Sequence, residues 1–253
     1  MNSNKPIAKK NQRFLRLPLV TIKRQSDSSL DELFGYDASD VENEGKVQSS
    51  NNVIVPVLSD FEKYLGLHHD KFVKASTQHI LLPLEINQFL QLTLCFSNQK
   101  NYFHRAGWFL SQLIQNSYDV GHNDFILDYK DGPKKIDQLG RKIIATKERP
   151  CTLYCNGNAG YYFGERSQYL TAIVKGLLGP RIGNFSQNLT LTVNGNISFV
   201  DKKMSSDFTA YVSGRIFGDN SMAKIPGFFL GDDATTHPEY IRMMQNFDEV
   251  MGK

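Results

Sequence analysis

Three glycines in the segment CTLYCNGNAGYYFGE, residues 151–165, are of the type that can cradle a phosphate group with backbone N–H groups. Known phosphate loops have the spacings G-x-G-x-x-G or G-x-x-x-x-G-K-[ST] and open directly into a helix. Gly157, Gly160 and Gly164 match neither spacing, and no helical pattern follows them. Because the same spacing recurs in the next copy of a repeat, a single nucleotide site does not explain it, and we interpret these glycines as structural.

Other residues have side chains suited to metal binding or acid–base catalysis. They are His68, His69 and Asp70, then His104 with His122 and Asp124, and finally Cys151 with Cys155. None has the spacing of an HExxH motif or of paired C-x-x-C zinc sites, and no G-x-S-x-G nucleophile elbow occurs. We therefore predict no catalytic residue, no cofactor site and no metal site, and we interpret the histidines as surface or capping residues. Both cysteines of the pair fall on the inward face of a predicted strand, where they act as small core residues.

A 19-residue repeat begins at residue 151 and aligns four copies without an insertion. Each copy has a threonine and a glycine in register: Thr152, Thr171, Thr190, Thr209, and Gly157, Gly176, Gly195, Gly214. Alternate positions form apolar columns: Cys151, Leu170, Leu189, Phe208; then Leu153, Ala172, Leu191, Ala210; then Cys155, Val174, Val193, Val212. A further apolar column follows the glycine: Ala159, Leu178, Ile197, Ile216.

This repeat predicts a mainly β protein whose centre is a right-handed parallel β-solenoid of 19-residue coils over about residues 151–231. Alternation at period two indicates strands with one inward face, and the fixed period places each strand beside its counterpart in the preceding coil. The four repeated glycines are predicted to form the coil corners, where a residue without Cβ can adopt φ > 0. A left-handed acyltransferase helix would need a six-residue repeat, which a spacing of 19 does not fit.

The glycine corners resemble those of the GXGXG right-handed β-helix family, in which coils of about this length have Gly-[DN]-Ala-Gly-x-x-x-Gly corners. The matching residues of the first coil are Gly157, Asn158, Ala159, Gly160 and Gly164, and the resemblance covers residues 151–218. The family includes the C-terminal domain of the large subunit of glutamate synthase and the C subunit of formylmethanofuran dehydrogenase. The resemblance implies a scaffold, because in those enzymes this domain positions other parts and performs none of the chemistry.

The segments around the repeat have different patterns. The pattern of residues 51–150 predicts a mainly helical α+β cap. Within it we expect a helix that begins at Pro83, a second helix that ends before Gly121, and a strand at 125–129. Residues 151–236 are assigned to the solenoid, with a shorter fifth coil at Phe228–Leu230. Residues 237–253 predict an amphipathic helix that closes the open end of the solenoid, since an uncovered coil would expose a strand edge.

Residues 1–50 are predicted to form a disordered charged arm, because basic residues and then acidic residues leave little apolar surface to bury. Within this arm, Lys9, Lys10, Arg13 and Arg16 are candidate contacts for a nucleic acid. The net charge of +3 is too small to indicate such a partner by itself. A solvated tail that pairs loosely with its acidic neighbour is the alternative.

The three consecutive aromatic residues Tyr161, Tyr162 and Phe163 are candidates for an interaction surface, because they cannot all point inward. We expect them to pack against the region before residue 150. Stacking with bases or sugars and contact with another subunit are the alternatives.

Three functions remain open from the sequence. The first is a non-catalytic structural or protein-interaction module, with a protein partner or a second copy of the chain. The second, which the resemblance implies, is an accessory subunit of a redox enzyme complex, and the third is a nucleic-acid-binding protein that uses the basic arm. We expect a cytoplasmic location, because the three cysteines form no paired framework and the chain has neither a secretory signal pattern nor an apolar run long enough to span a membrane.

Overall fold

The computed structural model of the chain describes residues 51–67, 77–132, 135–198, 207–217 and 227–252. The predicted charged arm, with Lys9, Lys10, Arg13 and Arg16, lies outside the described residues. The candidate ligands His68, His69 and Asp70 lie outside them as well.

In the described residues, three helices precede the solenoid: α1 (Asn51–Gly66), α2 (Pro83–Thr93) and α3 (Tyr102–Asp119), with a 3-10 turn at Leu94–Phe96. Pro83 occupies the first turn of α2, where its missing N–H group leaves no hydrogen bond unmade. Gly121, with φ 120°, follows the end of α3. The prediction of a helical cap that contains these two helices is confirmed.

An aromatic cluster joins the three helices of the cap. The ring of Phe61 from α1 makes edge contacts with the rings of Phe89, Phe109 and Tyr102, at centroid distances of 5.6, 5.2 and 6.2 Å. Arg105 from α3 adds a polar contact, because its guanidinium donates to backbone carbonyl groups at the C-terminal end of α1. The last turn of a helix leaves carbonyl groups without an intrahelical partner, so Arg105 satisfies groups that burial would otherwise leave unpaired.

The main sheet of the solenoid has six parallel strands in the part of the chain that the structure describes. In chain order they are β1 (Asp124–Asp128), β2 (Cys151–Asn156), β3 (Gln168–Lys175), β4 (Gln187–Asn194), β6 (Phe208–Val212) and β8 (Phe228–Leu230), and each pairs with the next. Thr152, Thr171, Thr190 and Thr209 lie side by side on adjacent strands, so the predicted 19-residue register is confirmed. The three predicted inward columns of these strands are buried.

A second, shorter ladder forms another side of the coils. It consists of β5 (Ile197–Ser198), β7 (Ile216–Phe217) and single parallel bridges that extend it to Leu178, Ala159 and Ile136. This ladder joins the residues of the fourth predicted apolar column, so their stacking is also confirmed. The strand predicted for the fifth coil is present, because β8 pairs with β6 in parallel, and Phe228 lies beside Ala210.

The sheet starts earlier than the predicted boundary at residue 151. Strand β1 pairs with β2 from Asp124 opposite Thr152 to Asp128 opposite Asn156, an interval longer than the period of the repeat. The first coil is therefore longer than the coils that follow it. Its strand, β1, lies within residues 51–150, which were assigned to the cap from the sequence. On the far edge of β1, the side-chain oxygen of Asn87 in α2 accepts a hydrogen bond of 2.9 Å from the backbone N–H of Asp128, so α2 covers this strand edge.

The C-terminal helix has a different position from the predicted one. After the short helix α4 (Asp232–Thr235), helix α5 (Pro238–Val250) packs on the outward face of the main sheet and does not close the end of the solenoid. Met243 and Phe247 of α5 form a buried cluster with Tyr154 and Ile173, which point away from the solenoid core. The prediction was wrong because this outward column is itself apolar, and burying it against α5 removes it from water.

Candidate binding site

Three of the four predicted corner glycines have the expected backbone conformation. Gly157, Gly176 and Gly195 have φ of 152°, 151° and 154°. A Cβ atom on Gly176 would lie 2.5 Å from the carbonyl oxygen of Gly157 in the preceding coil, so close stacking also requires glycine. Gly214 differs, because its φ lies outside the left-handed region. Glycine is required there only by close packing, since a Cβ atom would lie 2.5 Å from the carbonyl oxygen of Gly195.

The aromatic residues at 161–163 divide between surface and core. Tyr161 is exposed, and the Nζ atom of Lys135 lies 4.4 Å from its ring centroid. Tyr162 is half-buried beside Arg181, whose Cζ atom lies 5.3 Å from the ring centroid. Phe163 is fully buried in the core, so its assignment to an interaction surface was wrong. The physical reason is the pair of left-handed residues around it, since φ values of 62° at Tyr162 and 63° at Gly164 reverse the chain there.

A cleft of about 550 Å³ lies between α3 and the corners of the first two coils. Trp108 and Ile144 form its apolar walls, and Arg141, Lys142 and Arg166 supply positive charge. The Cζ atom of Arg141 lies 4.1 Å from the centroid of the Trp108 ring, and the Nζ atom of Lys142 lies 5.7 Å from it. Cations at these distances interact favourably with the face of an indole, so the ring holds the basic groups at the cleft.

One buried carboxylate lies between the two arginines of the cleft. An oxygen of Glu165 is 2.9 Å from Nε of Arg141, although the pair lacks the alignment of a hydrogen bond, and the other oxygen is 3.8 Å from Nε of Arg166. Burial lowers the pKa of Arg141; Glu165 opposes this effect and Arg166 adds to it. Arginine stays protonated in proteins, so Arg141 remains a partly desolvated cation that faces a second cation.

Sequence reasoning did not identify this cleft, because its residues come from a helix and from two successive coils, and the first of these coils does not have the length of the repeat. A signal was nevertheless present. Arg141 and Glu165 have opposite charges and occupy equivalent corner positions of successive coils, where Lys142 N–H donates to the carbonyl oxygen of Glu165. Aligning the irregular first coil with the repeat would have placed them next to each other.

A second surface feature consists of large aliphatic side chains on the cap. These residues have between 42% and 63% of their surface exposed, and they are Val55 of α1, Ile80 and Leu82 before α2, and Leu84 and Leu92 of α2. Leu81, between two of them, is fully buried. The segment before α2 thus presents alternate aliphatic side chains to solvent while the opposite side anchors it to the core.

The other candidate residues have structural surroundings. Burial raises the pKa of Cys151 and of Cys155, which lie in the core of the solenoid. His104 is exposed, and Nε2 of Gln138 is 2.8 Å from its Nδ1 atom. Within the described ranges, no group of three or more His, Cys, Asp or Glu side chains is placed to hold a metal ion.

None of the helices in the described part of the chain is both long and apolar enough to cross a bilayer. Comparisons of the chain with known protein families, with curated proteins and with solved structures find no match.

Proposed function

We propose that this protein is a non-catalytic interaction module, in which the β-solenoid is a rigid scaffold and the helical cap binds another protein. The observation that supports this proposal is the set of exposed aliphatic side chains defined above, which we call the aliphatic surface: Val55, Ile80, Leu82, Leu84 and Leu92. Large aliphatic side chains that a folded chain leaves exposed are candidates for protein–protein contacts.

Part of the aliphatic surface lies on a helix that is already anchored in the folded cap, and this anchoring favours the binding of a partner. Leu84 and Leu92 are exposed near the two ends of α2. The same helix buries Ile86, Phe89 and Leu90 in the cap core. Its position is therefore fixed before a partner binds, and a surface that is already ordered loses little conformational entropy on association.

The scaffold role rests on the stacked coils, whose backbone hydrogen bonds continue from one strand to the next. The resemblance of the glycine corners to the GXGXG family supports the same role. On that resemblance, one candidate partner is the flavin- or metal-containing subunit of a redox enzyme complex. A captured complex that contained such a subunit at fixed stoichiometry would identify this case.

The experiment is a pull-down of the full chain from its native source, followed by measurement of the stoichiometry of the purified complex. The double variant Leu84→Lys/Leu92→Lys places two charges on the aliphatic surface, and we expect it to lose the partner while retaining its melting temperature. Val120→Lys is the matched control, because Val120 is similarly exposed but lies after α3, outside this surface. Retention of the partner by the double variant, or equal loss in the control, would refute the proposal.

A further inference from the structure

The charges around the cleft do not balance. Arg141, Lys142 and Arg166 contribute three positive charges to its walls, and Glu165 contributes the only carboxylate paired with them in the described residues. The net charge of this group is therefore about +2 at neutral pH. A phosphate monoester has a charge of about −1.5 to −2 at pH 7, so it would neutralise the cleft.

The two arginines differ in how accessible their side chains are to an anion from solvent. The side chain of Arg141 is 15% exposed and fixed on Trp108, whereas that of Arg166 is 54% exposed. Lys142 is exposed as well. One cation is therefore preorganised at the inner wall, and two cations at the rim are accessible for charge-assisted hydrogen bonds to phosphate oxygens.

The size of the cleft exceeds the needs of an anion alone. The cleft is about half open to solvent, and its volume of about 550 Å³ is more than a bare phosphate would fill. The remaining wall contains the exposed Ile144 side chain, the amide of Gln112 and the part of the Trp108 ring that Arg141 leaves uncovered. An aromatic ring, an aliphatic side chain and an amide are complementary to a flat heterocycle with polar edges.

We propose that this cleft binds a nucleoside monophosphate, with the phosphate at Arg166 and Lys142 and the base against Ile144, Gln112 and the part of the Trp108 ring that Arg141 leaves uncovered. The proposed site is distinct from the aliphatic surface of the cap. It does not depend on the binding of a protein partner.

The test uses the intrinsic fluorescence of the full chain, because Trp108 is its only tryptophan. Adenosine monophosphate and uridine monophosphate are titrated at constant ionic strength, with adenosine and inorganic phosphate as the corresponding fragments. We expect a saturable change in Trp108 emission with at least one of the nucleotides, and binding weaker by about tenfold or more for each fragment.

Arg166→Gln removes a proposed phosphate contact, and we expect it to weaken nucleotide binding by about tenfold or more. Arg181→Gln is the matched control, because Arg181 is an exposed arginine of the next coil that lies beside Tyr162, outside the cleft. It removes the same charge and should bind as the wild type does. Circular dichroism of both variants checks that they are folded, and Lys142→Gln provides a second test if Arg166→Gln is not.

Each alternative result overturns a defined part of the proposal. Absence of saturation by both nucleotides up to about 10 mM would overturn all of it. Equal binding of adenosine and adenosine monophosphate would overturn the phosphate site, and equal binding of inorganic phosphate would overturn the base site. Equal weakening by Arg166→Gln and Arg181→Gln would overturn the assigned phosphate contact, because it would show only a general electrostatic effect.

Discussion

The solenoid and the helical cap are stabilised by contacts of different kinds. In the solenoid one contact is repeated, since each strand from β2 to β4 has its neighbour one repeat away in the chain and like positions stack on like. In the cap each contact occurs once, as in the packing of Phe61 against three other rings or the bonds from Arg105 to the end of α1. A repeated contact leaves a periodic signal in the sequence, whereas a unique contact leaves none.

The two regions nevertheless share one hydrophobic core. Val193 of the solenoid and Phe61 of the cap belong to the same continuous cluster of buried side chains. We therefore expect residues on both sides to unfold in a single transition, although repeat proteins can lose coils stepwise. Substitutions in each region test this expectation.

The largest expected effect comes from Val193→Asp, in the fully buried inward column of β4. An unpaired carboxylate there has no partner and no water, so we expect a loss of about 4 kcal/mol or more in the free energy of unfolding. Chemical denaturation measures this loss. Thr190→Asp, on the opposite face of the same strand, is the control, and an equal loss in both variants would contradict the assignment of the two faces.

The corresponding change in the cap is Phe61→Ala. Phe61 is fully buried among aromatic rings, so the cavity should lower the free energy of unfolding by about 3–5 kcal/mol. Because the core is shared, we expect the circular dichroism signals of helix and strand to be lost at the same, lower denaturant concentration. Val55→Ala, an exposed site on the same helix, should change the free energy by less than about 0.5 kcal/mol. Loss of the helical signal before the strand signal would show that the two regions unfold separately.

The periodic part of the fold was predictable from the sequence to the level of individual residue pairs. The Thr171 and Thr190 pairing follows from the 19-residue spacing alone, because stacked coils must keep equal lengths for their columns to remain in register. The strand at Asp124–Asp128 was recognised, but its membership in the sheet was not. Its interval to β2 is longer than the period, and a single irregular coil has no second copy to align with.

The non-periodic parts were predicted only as isolated elements. The amphipathic pattern of α5 indicates a helix but not the surface that it covers, and the apolar outward column with Tyr154 and Ile173 is what decides its position. The cleft depends on the distance between Trp108 and Arg141, which no local pattern specifies. Tertiary contacts between elements of different types must be known before such a site can be recognised.

Substitution of a corner glycine tests the stacking contact between successive coils, and we expect its effect on the free energy of unfolding to be intermediate in size. In Gly176→Ala the new Cβ would lie 2.5 Å from the carbonyl oxygen of Gly157, and the residue would retain a φ of 151°. We expect a loss of about 2–3 kcal/mol in the free energy of unfolding, measured by denaturant titration. Gly66→Ala in the cap is the control, because a Cβ on Gly66 would meet no atom within 4 Å and its φ is not in the left-handed region. A loss as large at Gly66 would mean that the stacking of coils is not the cause.

The smallest expected effect concerns Asp124, in the strand where the cap meets the first coil. Burial raises the pKa of its carboxyl above the usual 3.8, and hydrogen bonds from Thr152 and Asn123 offset part of that rise. The folded state therefore binds the proton more tightly than the unfolded state, and stability falls as the pH rises from 3.8 through the folded pKa. Asp124→Asn should raise the melting temperature at neutral pH by on the order of 1–3 °C, and this gain should vanish near about pH 3, where both states are protonated. An equal gain at both pH values would mean that packing at the first strand, and not the charge, sets the stability of this junction.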